Sequence, residues 1–321
     1  MLAYALRRIL IMIPMLILIS VVVFFLALLM PGDPFSGEID PNNTSAEYLE
    51  EMREKQGYND PIPVQYQRWV KKIITKADFG KSTKYKKDVV DVVLEKIPNT
   101  LFLAVSALII TYILAFILGM YSGRRPYTLG DNIIATFNYG GIAIPQYIIA
   151  ILAIYLFAYG LGWFPSSGSI TPGLESGTWA YWANKIHHVI LPALTLGLFS
   201  TASYTQFLRN DIIQNSQRDF VRSARARGTS ESRIYNKHIL RNSIIPLITF
   251  FGFDLATLIG GAIITETIFT YPGIGKLFID SINNRDYPII MTLTLMFSTL
   301  TLVGNLFSDL LYGVVDPRIR Y

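Results

Sequence analysis

The chain has 321 residues, 51% of them hydrophobic and 16% charged, with a mean hydropathy of +0.38. A soluble domain carries about 25% charged residues, so this composition points to a membrane and excludes a disordered chain. Without cysteine, and with only His187, His188 and His238, neither a disulfide framework, a thiol nucleophile nor a zinc or di-iron centre is expected.

A bilayer-spanning helix needs about 20 mostly apolar residues, and six stretches qualify: 9–30, 101–121, 133–159, 189–208, 246–265 and 289–312. The first is uncharged and is followed by Pro31-Gly32-Asp33-Pro34 rather than a small-residue cleavage site, so it is expected to stay in the protein. Residues 31–96 are the one sizeable polar segment, predicted to form a small cap. Within it, 46–56 reads as a short polar helix capped by Ser45, and 64–74 as an amphipathic helix carrying Trp69. The second span ends in Gly119 and Gly123, a spacing that permits close helix packing. Pro14 lies inside the first span, Pro145 inside the third and Pro192 inside the fourth, where each is a candidate kink. Between them, 160–188 carries Trp163, Trp179, Tyr181 and Trp182, either an interfacial aromatic belt or a ligand-guiding loop. The fifth span holds Asp254 near its middle and Glu266 follows its end; the sixth has Asp309 near its own end.

Six spans put both termini on one side. Arg7 and Arg8 place that side in the cytoplasm. The inner segments then carry 14 basic residues, against Lys185, Lys276 and Arg285 in the short outer loops. The positive charge that first suggests nucleic acid is therefore an orientation signal. Intramembrane acids are costly and mark function, but the first four spans have none, which argues against a proton relay. Asp254 is either a path residue or a helix-to-helix hydrogen-bond partner. Gly273-Ile274-Gly275-Lys276 falls short of a phosphate loop, because the earlier glycine is missing and Leu277 replaces Ser/Thr. If ATP drives this protein, another chain binds it.

The longest inner loop, 209–245, includes Arg222-Ser223-Ala224-Arg225-Ala226-Arg227-Gly228-Thr229-Ser230. Its first half suits a helix. Gly228 interrupts it, for a left-handed backbone or a close approach. Thr229 or Ser230 can cap a second helix, with Glu231 at its positive end and Ile234, Tyr235, His238 and Ile239 on one face. Such a loop either docks on a partner protein or is a solvated basic segment.

The stretch resembles the coupling loop of permease subunits in bacterial ATP-binding-cassette importers, with Ala224 and Gly228 at matching places. Arg222 stands where glutamate is common and Ser223 where the first alanine is, departures that match the oligopeptide, dipeptide and nickel branch. Asp60-Pro61-Ile62-Pro63, Asp78-Phe79-Gly80, Ile97-Pro98-Asn99-Thr100-Leu101, Arg285-Asp286-Tyr287-Pro288 and Asp316-Pro317-Arg318 agree. The most specific match is Glu266-Thr267-Ile268-Phe269-Thr270-Tyr271-Pro272-Gly273-Ile274-Gly275.

The resemblance implies an all-α membrane protein of the type I importer permease fold: a first helix (1–30), an extracytoplasmic cap (31–96) and a permease core (97–321). It implies a non-catalytic subunit in a bacterial plasma membrane. Its partners would be a second permease, two ATPase subunits holding ATP and Mg²⁺, and an extracytoplasmic peptide-binding protein; this chain needs no cofactor of its own. Arg222, Ser223, Ala224, Arg225, Ala226, Gly228, Thr229 and Ser230 would couple to an ATPase, and Asp254 and Glu266 are candidates for the substrate path. Oligopeptide is the expected cargo, with dipeptide, nickel or a metal chelate as alternatives. A carrier acting alone is the different-class alternative.

Overall fold

The computed structural model describes residues 2–29, 50, 51, 54, 57, 59–257 and 262–315. The described residues are helical, with no strand beyond one isolated bridge between Lys81 and Asp88. Among the described residues, four helices are long and apolar enough to cross a membrane: α1 (Leu2–Leu29), α3 (Val89–Arg124), α6 (Trp179–Ser216) and α13 (Tyr287–Val315). A bent pair, α4 (Leu129–Ala143) and α5 (Gln146–Ala153, continuing as a π-helical stretch Ile154–Gly160), also qualifies as one broken traverse.

The expected third span is thus two helices meeting at 103°. Pro145 causes the break: it holds Ile144 in an extended conformation (φ −91°, ψ 126°) and starts α5 at the next residue. Pro14 and Pro192, by contrast, are accommodated within the unbroken α1 and α6. The expected fifth span is described as α10 (Ile245–Thr257) and α11 (Ile263–Ile268), and its middle lies outside the described residues. So does most of the helix predicted at 46–56, together with 31–49 of the expected cap. The amphipathic helix predicted at 64–74 is α2 (Ile62–Lys76), with prolines at its start and Ala77 in a left-handed cap.

Two glycines let α3 and α6 approach closely. A Cβ on Gly119 would sit 2.9 Å from Leu208 Cβ, and one on Gly123 2.7 Å from Ile212 Cβ. Gly197 lies equally close to the Ala107 carbonyl. Contacts rise in the same order on both helices, so α3 and α6 run parallel. The small-residue spacing serves packing within the chain. Helix α4 runs antiparallel to α6: Arg209 grips Asp131 in two 2.7 Å hydrogen bonds, while Gly141 faces Ala202.

Contacts sort the connecting segments into two ends. At one end, Arg124 meets Asn236, Asn215 bonds Ser243, and Arg8 pairs with Asp309 at 3.0 Å. At the other, His187 bonds the Trp163 carbonyl at 2.8 Å, Gly168 donates to the Phe269 carbonyl at 3.0 Å, and Ser82 donates to Asp286 at 2.5 Å. The bent pair α4–α5 carries the chain from the first end to the second.

Candidate functional site

The basic loop folds into a helix, a turn and a second helix. Helix α7 (Asp219–Ala226) begins with an acid at its positive end. One face, Val221 and Ala224, is buried against Leu208, Ile212, Ile234, Ile239 and Leu247. The other face exposes Arg222, Ser223, Arg225 and Ala226.

Gly228 closes this helix. It has φ +74°, its N–H donates to the Arg225 carbonyl at 2.9 Å, and the Thr229 N–H donates to the Ala224 carbonyl at 3.1 Å. That pair of bonds is a Schellman cap, which favours glycine at the left-handed position. A Cβ there would meet nothing within 4 Å, so glycine serves backbone conformation and not a tight contact within the chain.

Ser230 precedes α8 (Glu231–Arg233) at the cap position, but without a side-chain cap bond; its carbonyl accepts from Ile234 N–H at 3.0 Å. Arg225 spans the turn to Glu231 with bonds of 2.6 and 3.1 Å. This guanidinium holds the exposed Glu231 carboxyl below the usual glutamate range. A π-helical stretch, Ile234–Ile239, then pins the loop to the bundle through two fully buried isoleucines. Tyr235 lies under the Arg124 guanidinium, 5.5 Å from ring centre to Cζ.

The result is a hairpin anchored on one side and presenting Arg222, Ser223, Arg225, Ala226, Gly228, Thr229 and Ser230 on the other. Ala224 is expected among the coupling residues and is buried within the chain. Its methyl faces inward, so it fixes the hairpin to its own chain. The second face is left exposed to solvent.

Asp254 accepts hydrogen bonds from Tyr112 (2.6 Å) and Tyr204 (2.9 and 3.0 Å), tying α3 and α6 to α10. Phe250 stacks on Tyr204 at 5.3 Å and Phe251 meets Tyr112 edge-on at 5.2 Å. This geometry supplies the helix-to-helix hydrogen bonding that Asp254 suggested. The surrounding aromatic residues were not singled out by sequence, because they lie on three separated helices.

Glu266 sits in a separate network and has no exposed surface. One carboxylate oxygen accepts from Thr100 Oγ1 at 2.6 Å and the other from Lys276 N–H at 3.1 Å. Thr100 Oγ1 in turn accepts from Ile274 N–H at 2.8 Å. The carboxylate therefore caps α12 (Ile274–Asn284) from inside. Glu266, a path candidate from the sequence, is buried here with a partner on each carboxylate oxygen, the arrangement of an internal cap.

The same motif explains its glycines. A Cβ on Gly273 would fall 2.3 Å from the Glu266 carboxyl carbon, and one on Gly275 2.5 Å from Ile263 Cα. The anion site that a helix N-terminus provides is filled by the chain's own carboxylate. Nearby, Asp286 uses one oxygen to accept from both Ser82 Oγ and Lys84 N–H, fastening the 82–87 turn to the start of α13.

Residues 1–104 match the family described as the N-terminal part of binding-protein-dependent transport system membrane components. Residues 115–321 match that described as binding-protein-dependent transport system inner membrane component. The oligopeptide transport system permease protein AppB of Bacillus subtilis is 39% identical over 320 residues, covering 99% of each chain. The dipeptide transport system permease protein DppB of Alkalihalophilus pseudofirmus is 33% identical over 335 residues, covering all of both. The glutathione transport system permease protein GsiC of Salmonella typhimurium is 33% identical over 325 residues, again covering all of both.

Proposed function

The chain belongs to the family of binding-protein-dependent transport system inner membrane components, and from that premise we propose that it is a permease subunit of an ATP-driven peptide importer. The observation that carries the reading is the anchored hairpin at residues 219–239. It joins a rigid attachment to the bundle with an exposed face suited to a groove on another protein. End-to-end likeness to permeases named for oligopeptides, dipeptides and glutathione supports a peptide cargo.

In this proposal the hairpin end faces the cytoplasm, with both termini, and six spans cross the membrane. The core is 97–321 and the cap, 31–96, lies outside. Two ATPase subunits, holding ATP and Mg²⁺, receive the coupling hairpins of this chain and of a second permease. When the ATPases close, the hairpins move together. Burial of Val221, Ala224, Ile234 and Ile239 passes that displacement into α6 and α10. The spans then open outward and accept peptide from an extracytoplasmic binding protein. Asp254, with Tyr112 and Tyr204, is the first path candidate and Glu266 the second, and no step requires a catalytic residue in this chain.

Affinity purification of the chain from membranes in mild detergent tests the assembly. The expected co-purifying proteins are a second permease and Walker-motif ATPases. Isolation as a lone chain that still transports would instead support a secondary carrier.

A further inference from the structure

A cavity of about 190 Å³ lies where the ends of α1 and α2 and the start of α13 meet the 78–83 segment. No part of the transport reading uses it. At about 30 Å³ per water, it has room for a small polar headgroup. Its floor is apolar and comes from two spanning helices: Phe24 and Leu28 of α1, and Met291 of α13. Leu26 and Leu29, neighbouring on α1, are 55% and 79% exposed, so the floor runs into surface that faces lipid.

The roof is the amphipathic α2. Trp69 and Tyr66 rest on Phe24, with ring centres 5.6 and 5.5 Å away, and Tyr66 bonds Ser20 at 2.7 Å. Aromatic side chains of this kind settle at the headgroup level of a bilayer. The apolar run of α1 stops here too, so the cavity lies at the depth where headgroups lie.

Its rim is basic. Arg68 pairs with Asp60, and Asp78 accepts from Gly80 N–H at 2.9 Å. Lys72 and Lys81 are exposed, and among the described residues neither has an ion pair. With the Asp78 carboxylate counted against them, Arg68, Lys72 and Lys81 still leave the rim net positive, and a positive rim above an apolar floor that opens to the bilayer selects a ligand with an anionic head and a hydrocarbon tail. A soluble anion gains nothing from the floor. A zwitterionic lipid brings its own cation against the lysines.

We propose that this cleft binds an anionic phospholipid, its phosphate held by Lys72 and Lys81 and an acyl chain lying along Phe24, Leu28 and Met291. Bound there, the lipid links α1 to α2 and α13.

The test uses the full-length chain purified in its complex and stripped of lipid. Thermal stability is titrated with phosphatidylglycerol, phosphatidylcholine or inorganic phosphate. Phosphatidylglycerol is expected to raise Tm and the other two to leave it unchanged. In Lys72→Gln/Lys81→Gln the apparent affinity for phosphatidylglycerol should fall about 30-fold, as two lysines near a lipid surface contribute about 1 kcal/mol each. Lys71→Gln/Lys76→Gln, which removes the same charge away from the cavity, should respond as the parent does. Three results would overturn the proposal: no gain with phosphatidylglycerol, an equal gain in the cavity variant, or an equal gain from inorganic phosphate, which would mark a free-anion site.

Discussion

The buried carboxylate of Glu266 holds two donors, one on each oxygen. Glu266→Ala leaves Thr100 Oγ1 and Lys276 N–H without that partner, at about 1–3 kcal/mol each. The expected outcome is a lower Tm with peptide preference unchanged; unchanged stability with altered preference would place Glu266 on the path instead. Gly273→Ala drives a methyl into the same carboxyl and should cost about 1–3 kcal/mol. Gly140→Ala is the control. Its Cβ meets nothing within 4 Å, and in a helix the change gains about 0.5–1 kcal/mol. Sequence singled out Glu266 as an acid beside a span, the ordinary mark of function. It could not show the role, because Thr100 lies 166 positions upstream and no local pattern joins them.

The hairpin at 219–239, proposed to couple to an ATPase, depends on one backbone conformation. Gly228→Ala keeps the exposed face but strains φ +74°, at about 1–2 kcal/mol. Gly228→Arg adds a long cation to the docking face. Membrane insertion should survive it while peptide uptake and ATPase coupling stop; normal uptake would sink the docking assignment. The Arg225–Glu231 bridge gives the turn a pH dependence. Because the carboxyl is held below its ordinary range, its contribution is present above the unfolded value and is lost as pH falls through the folded one. Amide protection factors at 227–231, taken relative to the intrinsic exchange rate at each pH, should therefore fall on acidification below the glutamate range, and Glu231→Gln should remove that dependence. Gly228 and the buried isoleucine face were legible because capping and periodicity are local. The inward turn of Ala224 was not, since its packing partners come from α6 and α10. Hydropathy likewise found the apolar middles of α1, α3, α6 and α13 but not their ends. Helix α3 starts at Val89, well before the apolar stretch, because its first turns pack on Ile274 and Ile289. Pro145 flagged a break without revealing its 103° angle, which tertiary packing decides.

As a whole, the molecule places its basic hairpin at one end and the Glu266 and Asp286 motifs at the other, with parallel α3 and α6 between them. Both end motifs fasten segments distant in sequence, and the close glycine contacts of α3 with α6 make those two helices a stiff element linking the ends. A displacement at the hairpin can then reach the far end as rigid-body motion rather than as local bending. The central claim is that this motion, driven by partner ATPases, carries peptide. The most direct measurement is labelled-peptide uptake by proteoliposomes containing the purified complex, with binding protein outside and ATP inside. The account predicts accumulation that requires ATP and is abolished by Gly228→Arg. Equal uptake by this chain alone, without ATPase subunits or ATP, would contradict it.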